Sequence, residues 1–567
     1  MESDRTMPAP RLWTSSIRIS TDGLDTAVIA AAAAALSLLY TGVIFGIGNN
    51  LFHLPVVAGL YNEPQYLDDA FIQSLRHYAS GVWMLLGNTT RDLDQAEWLF
   101  LVLAYLSRLL CFVGFLCCAS LLGIERRREK IVFSFIICFV SFLNGYSFAG
   151  GSGIFLSYFT HSEIANGTTL LALYFCARGR FVETFAALGA TFFINAFMAA
   201  WLALPLSLIS LKRLHDGKTD LRSMIRQCLL GLVPLAIFAA PVCYAIVTNP
   251  EIGKPLDFDF VTYLQSYFAQ HFLVGTIPFN LLLGLAAVTA LGIIAFFRLG
   301  AARSELAAGF AGAITVYLIG LVMPYLTHNP QILELHLLRA GGTIHLLAGT
   351  AAAALATGWI CSETDRRFFV WGSFLALLLC ATQLSFVLCI PLIAATYLVG
   401  SREPSLLFQA SGYAVLAVLV GVICPHMVWQ SVNYNRQYAA VTAEWVSLGR
   451  WALAATPADA MFLIPIEANT GAAELPTPTP MFEFLSHRRA WVDFRRGAAV
   501  LWSPSYYRTW RSRMDDVSRL GSLPERIDYA SRSGIDYVID GCDAATSRRQ
   551  AIFRNGGLCV FAARATS

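Results

Sequence analysis

The sequence predicts a polytopic α-helical membrane protein of about thirteen spans with a C-terminal extracytoplasmic α/β domain. Composition and patterning carry this prediction. Of 567 residues, 56% are hydrophobic and only 14% are charged. The apolar residues fall into about a dozen separate runs of membrane-spanning length, the pattern of a helical bundle. The runs stop near Trp429, and the remaining segment reads as a soluble domain of ordinary size. The net charge of +3 gives no reason to expect a nucleic-acid partner.

The N-terminal arm, 1–25, carries Arg5, Arg11 and Arg18 ahead of an Ala-rich run from Thr26 to Ile47. That run exceeds a signal-peptide core and lacks a small-residue cleavage site, so it reads as an uncleaved first helix. Positive charge then keeps the arm in the cytoplasm. The loop 48–96 is acidic, with Glu63, Asp68, Asp69, Asp92 and Asp94, as expected outside. Basic patches at Glu125–Lys130, Arg178 and Arg180, Lys212–Arg226, Arg298–Arg303, Arg366–Arg367 and Arg402 all fall inside under two conditions. The chain must turn outward near Asn195, and the 368–399 stretch must form two short helices. The bundle then covers 26–428, and 429–567 emerges outside.

Two outer segments have helical apolar spacing beside a polar face: Leu67–Leu86, with Phe71, Ile72, Leu75 and Trp83, and Asp259–Phe272, with Val261, Leu264, Tyr267 and Phe268. Both read as amphipathic helices lying in the outer interface, roofing a cavity that lipid and water reach. In the tail, 461–466, 490–494, 536–540 and 558–561 read as strands, and Pro504–Leu520 and Pro524–Ser533 as helices begun by proline. The Pro/Thr-rich 476–480 is a loop, and Gly150–Gly153 lacks the strand–helix context of a nucleotide site. Ten of thirteen cysteines sit in or at apolar runs as small hydrophobes. Cys542 and Cys559 lie in the exported domain, where a disulfide is permitted. Neither a CxxC nor a Cys/His cluster of metal-binding spacing occurs.

Asp68 and Asp69 open the first interfacial helix. A carboxylate there can act as general base near the bilayer surface, or can simply cap the helix. His161 and Glu163 stand at a cavity rim, where they can bind a metal or assist proton transfer; Thr160-His-Ser-Glu163 equally fits a capping box. His336 and Arg339 share a face at the outer end of a late helix that also holds His345. Arg339 can hold a lipid phosphate or snorkel to the headgroups. His271 and His53 are candidates for the same cavity or ordinary solvated histidines. His487–Arg489 with Arg495 and Arg496 form either an anion site or a solvated basic rim.

Further residues then resemble a known pattern. Asn50-Leu-Phe-His53-Leu-Pro55 is followed by Glu63-Pro-Gln-Tyr66-Leu-Asp-Asp69-Ala-Phe71. In the tail, Thr456-Pro-Ala-Asp459, Ser486-His-Arg-Arg-Ala-Trp-Val-Asp493-Phe-Arg and Trp510-Arg-Ser-Arg513 recur. With the bundle, the long first outer loop and the exported domain, these resemble the GT-C glycosyltransferases, and in particular bacterial GT-C-like proteins. Glu63 stands where that pattern has Asp, and a Lys usual near Arg495 is missing. The resemblance implies a multi-pass enzyme of a bacterial inner membrane. It would move a sugar from a polyprenyl-phosphate donor to an envelope glycan or lipid acceptor on the outer face. It implies Asp69 as base, with Asp68 second; the substrate-binding candidates remain those read from the residues themselves, Arg339, His336, His271, Glu163, His161 and His53. It implies no cofactor and no metal, although a divalent ion is chemically compatible. The competing classes are a secondary transporter, which predicts inverted repeats and midplane charges, and a polysaccharide ligase or polymerase. A scaffold without catalysis leaves the paired carboxylates unexplained.

Overall fold

The computed structural model describes residues 21–301, 303–363, 366–398, 405–466, 477–542 and 551–564. The arm's arginines, Arg402 and residue 476 of the Pro/Thr-rich loop lie outside the described residues. Among the described residues, eight helices are long and apolar enough to cross a membrane: Gly23–Thr41, Leu93–Ser120, Ala196–His215, Leu221–Val247, Phe279–Arg298, Glu305–Leu326, Pro330–Ile360 and Leu406–Ala455. These eight do not confirm the expected count of about thirteen spans; several further apolar runs make shorter helices. Arg127–Phe139 has 13 residues, a rise of about 20 Å against a hydrocarbon core of about 30 Å. The chain continues from it through an irregular, largely buried segment, a conformation tolerated at membrane depth only inside protein.

The two conditions on topology are met. Phe181–Ile194 and Ala196–His215 break at Asn195, whose side chain accepts from the Met198 N–H and so starts the second helix. The 368–399 stretch divides into Arg366–Cys380 and Cys389–Leu398. The basic patches gather at one end. Lys130 donates to Thr26 Oγ1 at 2.9 Å, Arg126 pairs with Glu363 at 3.0 Å, and Lys218 pairs with Glu305 at 2.7 Å. The first helix therefore starts beside Lys130 and runs to the other end, where the acidic loop and the tail domain sit.

The helix Gly341–Ile360 lies at the centre, with Ala351, Ala352, Ala353 and Ala354 fully buried. Its Gly and Ala faces let neighbouring backbones approach closely, which is how helices associate without a hydrophobic driving force. Leu221–Val247 is the opposite case. It packs by Gly231 against Phe185 and leaves most of its apolar surface outward.

Leu406–Ala455 is one continuous rod of 50 residues, passing through a π-helical turn at Leu419–Ile423. At 1.5 Å per residue it extends about 75 Å, more than twice the hydrocarbon thickness. The expected boundary at 428/429 thus falls inside a helix: composition changes there, but the hydrogen-bond ladder does not.

The tail builds a five-stranded sheet from β1 (Met461–Leu463), β2 (Arg489–Ala490), β3 (Tyr537–Gly541), β4 (Phe553–Asn555) and β5 (Leu558–Ala562). The order is β2-β1-β3-β5-β4, parallel on the β1–β3 side and antiparallel on the other. Cys542 and Cys559 form a disulfide between the end of β3 and β5. The strand expected over 490–494 is cut short because Asp493 accepts the Arg495 N–H and starts a 3-10 turn, Phe494–Leu501. The helix expected over Pro524–Ser533 forms as Leu523–Ser533, begun by a Ser522/Glu525 capping box and ended at Gly534.

Neither interfacial helix is a single straight helix on the membrane surface. The first breaks into Ala70–Ser74, a 3-10 turn Leu75–His77 and Gly81–Leu86. The second is Phe260–Ser266, followed after left-handed Phe268 by a 3-10 turn, Ala269–His271. Both are clamped by the tail domain. Trp502 Nε1–H donates to Ser74 Oγ at 3.2 Å, and Tyr263 and Tyr267 hydroxyls donate to the carbonyls of Gly497 and Arg495. Their apolar faces are buried against protein, which is why the spacing alone suggested a membrane surface.

Candidate active site

Between the bundle, the two broken segments and the tail domain lies a cavity of about 830 Å³. It sits at the end of the bundle that carries the acidic loop. Its wall gathers His161, His271, and the pair His336 and Arg339 from three separate stretches of the sequence. Tyr78, His77, Glu334, Arg495 and Trp502 are among its other polar and aromatic lining residues.

Arg339 enters on a 3-10 turn, Leu337–Ala340, that precedes the central helix. Its backbone carbonyl accepts from Ser152 Oγ at 2.8 Å. Its buried Nε has no hydrogen-bond partner, and no carboxylate pairs with it among the described residues. Arg339 is among the residues that line the cavity. Gly150 lets this wall close up: its φ is +138°, and a Cβ there would stand 2.3 Å from the Leu338 carbonyl oxygen. Gly151, at φ +65°, leaves room for His271 in the same way.

His161 begins the helix His161–Ala177. Trp83 Nε1–H donates to its Nδ1 at 3.0 Å, so the neutral ring carries its proton on Nε2 and offers a donor there. His271 stacks on Phe268, with ring centroids 5.1 Å apart. Burial, with the charge of Arg339 second, presses its imidazole down to about 3, so the ring is neutral at pH 7. His336 lies against Phe197 and edge-on to Phe272, and neither ring nitrogen has a partner. His345 is a structural bracket: Phe148 N–H donates to Nε2, and Nδ1 meets the Gly341 carbonyl.

Other expected residues stand elsewhere. His53 is buried behind the wall, stacked on Trp83 at 3.8 Å. Glu163 is no capping-box member; Thr160 makes no side-chain cap bond, and Glu163 forms a buried ion pair with Arg108. Arg108 also donates to Ser37 Oγ and the Leu156 carbonyl. A charge inside a helical bundle is tolerable only when paired in this way, which overrides the local capping pattern.

Asp68 is exposed, and neither it nor Asp69 is among the residues that line the cavity. Asp69 Oδ1 accepts the Ile72 N–H at 3.0 Å, and Oδ2 lies 3.9 Å from Arg496 Nη1. Arg496 is held by Glu483 at 2.7 Å and lies over the Phe71 ring. The basic cluster of the tail is therefore neither a solvated rim nor one anion site. Arg488 donates to the carbonyls of Ser486, Leu453 and Thr456, and His487 pairs with Glu63 at 2.8 Å. Only Arg495 of that cluster reaches the cavity wall.

Sequence reasoning missed Tyr78, Glu334 and Trp502. Glu334 had a usable signal: a carboxylate at the start of an apolar run that also holds His336 and Arg339. Among the described residues no three His, Cys, Asp or Glu side chains converge as a metal site requires.

The fold and cavity define a class: a polytopic helical membrane protein whose tail domain roofs a chamber at one end of the bundle. Residues 443–517, from the end of the long helix into the tail, match a domain of unknown function (DUF6798). No curated protein matches the chain. Among solved structures, the chain is similar to ArnT from Cupriavidus metallidurans in its apo crystal form. The TM-score is 0.42 at 12% identity, with 95% of this chain and 98% of that chain covered.

Proposed function

We propose that this protein is a GT-C-type membrane glycosyltransferase. It moves a sugar from a polyprenyl-phosphate donor to an envelope glycan or lipid acceptor inside the roofed cavity. The observation that carries this reading is Arg339, a guanidinium with an unpartnered Nε on the wall of an 830 Å³ chamber. That volume is within the range of small-ligand sites. A buried cation without a counter-ion is costly unless a ligand supplies one, and a phosphate does so with bidentate geometry. His161, with its donor on Nε2, and Arg495 add cationic or donor character to the same wall, while Phe52, Phe197 and Leu281 give it an apolar side suited to a lipid-linked substrate. In the same reading the chamber faces the periplasmic side of a bacterial inner membrane, with the N-terminus in the cytoplasm.

A transporter fits less well. It expects charges at the midplane beside discontinuous helices, whereas the buried pair Arg108–Glu163 satisfies itself.

The test is binding of decaprenyl phosphate to the purified full chain in nanodiscs. Arg339→Ala is expected to weaken it by at least about tenfold, the loss of one charge-assisted contact. Arg339→Lys should fall between, because an ammonium cannot reproduce the planar fork. Parent-like affinity in both variants would sink the phosphate site.

A further inference from the structure

We propose that Glu334 is the general base that takes the proton of the acceptor hydroxyl; this assignment rests on the transferase reading above. Glu334 is the one carboxylate that lines the cavity among the described residues. Four other carboxylates near this end of the bundle are already engaged, and Asp68 is exposed and outside the cavity lining. Glu63 is held by Arg91 and His487, Glu163 by Arg108, Glu483 by Arg496, and Asp69 by a helix N-terminus and Arg496. No hydrogen bond or ion pair reaches the Glu334 carboxylate among the described residues, so its lone pairs remain available to an incoming hydroxyl.

The local fold explains both its placement and its separation from Arg339. Asn329 caps the short helix Pro330–Leu333, and the Glu334 N–H donates to the Pro330 carbonyl at 2.8 Å. His336 then takes a left-handed conformation, φ 50°, which reverses the chain before the 3-10 turn that carries Arg339. Carboxylate and guanidinium therefore reach the same chamber from one segment without forming an ion pair. Of the histidines of the wall, His161, His336 and His271 are poorer bases. The Nδ1 of His161 is already taken by Trp83, the nitrogens of His336 are buried between rings, and His271 is weakly basic.

The step balances without a co-reactant. A Glu334 oxygen takes the hydroxyl proton, and the acceptor oxygen forms a bond to the anomeric carbon. The bond from that carbon to the phosphate oxygen breaks, and its electron pair leaves with the lipid phosphate. Arg339 meets the charge gained there, and Glu334 later returns its proton to water.

The experiment uses the full chain in nanodiscs, radiolabelled polyprenyl-phosphate sugars and envelope lipids extracted from bacterial membranes, and decaprenyl phosphate as binding probe. Glu334→Gln is expected to lower transfer by at least about 100-fold, a general-base contribution, with decaprenyl phosphate binding within about twofold of the parent. The acid limb of the parent's rate profile should vanish in this variant, and Glu334→Asp should keep more activity than the amide. Transfer by Glu334→Gln near the parent rate would overturn the assignment while leaving the transferase reading in place. Loss of probe binding in the same variant would also overturn it, by reducing Glu334 to a structural role. A parent protein that transfers no sugar from the pool would overturn the transferase reading, and the base with it.

Discussion

Asp69 and Arg496 show how a short sequence pattern acquires its meaning from distant residues. Within the chain, Asp69 is an acidic residue opening a helix, and that alone fits a base or a cap. The fold brings Arg496 and Glu483 to it from the tail, with Arg496 1% exposed and Glu483 3% exposed at their side chains. Removing Arg496 strands two carboxylates in a dry site. Arg496→Met is therefore expected to cost about 3–5 kcal/mol, seen as a large fall in thermal midpoint. Asp69→Asn keeps an oxygen for the cap and should cost about 1 kcal/mol or less. With Glu334 as base, the folded Asp69→Asn variant should transfer sugar within a few-fold of the parent. A loss of about 100-fold at unchanged thermal midpoint would return the base to the first outer loop. The local pattern also misled at Thr160–Glu163, where a buried partner, Arg108, was a stronger claim on the carboxylate than a cap.

The broken outer segments and the glycine loop set the shape of the chamber. The helical spacing of Leu67–Leu86 was legible, and so was its one-sided apolar face. Its breaks were not, because Tyr78 leaves the helix to meet Trp502 of the tail at 5.0 Å between ring centroids, and Ser80 Oγ donates to the Ile194 carbonyl at 2.8 Å. Gly150 carried a weak signal in a glycine-rich run, and its use appears only once Leu338 approaches from another helix. Gly150→Ala combines an unfavourable φ with a backbone clash that no rotamer relieves. The expected result is a fold retained at lower stability, by about 1–3 kcal/mol, and weaker decaprenyl phosphate binding because the Arg339 wall is pushed inward. Unchanged binding in a folded variant would show that this loop does not position Arg339.

The molecule as a whole places all described basic patches at one end and the tail domain at the other, and the disulfide offers a chemical check on which end is exported. Of thirteen cysteines, Cys542 and Cys559 are bonded and the other eleven are free. With the tail outside the cytoplasm, alkylation of protein taken directly from cells should find two further thiols only after reduction. Both thiols free in freshly quenched cells would contradict the orientation. Cys559→Ser is expected to lower tail-domain stability by about 3 kcal/mol, the usual scale for a closed loop of this length.

The sequence by itself determined the membrane bundle, the gathering of its basic loops at one end, the split at Asn195 and most tail strands. These follow from burial and charge patterns that act along a few consecutive residues. Tertiary structure alone decided the continuity of the rod Leu406–Ala455, the pairing of Arg108 with Glu163, and the gathering of His161, His271, His336 and Arg339 around one chamber. It also drew Asp69 into an ion-pair network and left Glu334 on the cavity wall. The reason is physical: which partner a buried charge finds depends on which helices pack together, and no local periodicity encodes that choice.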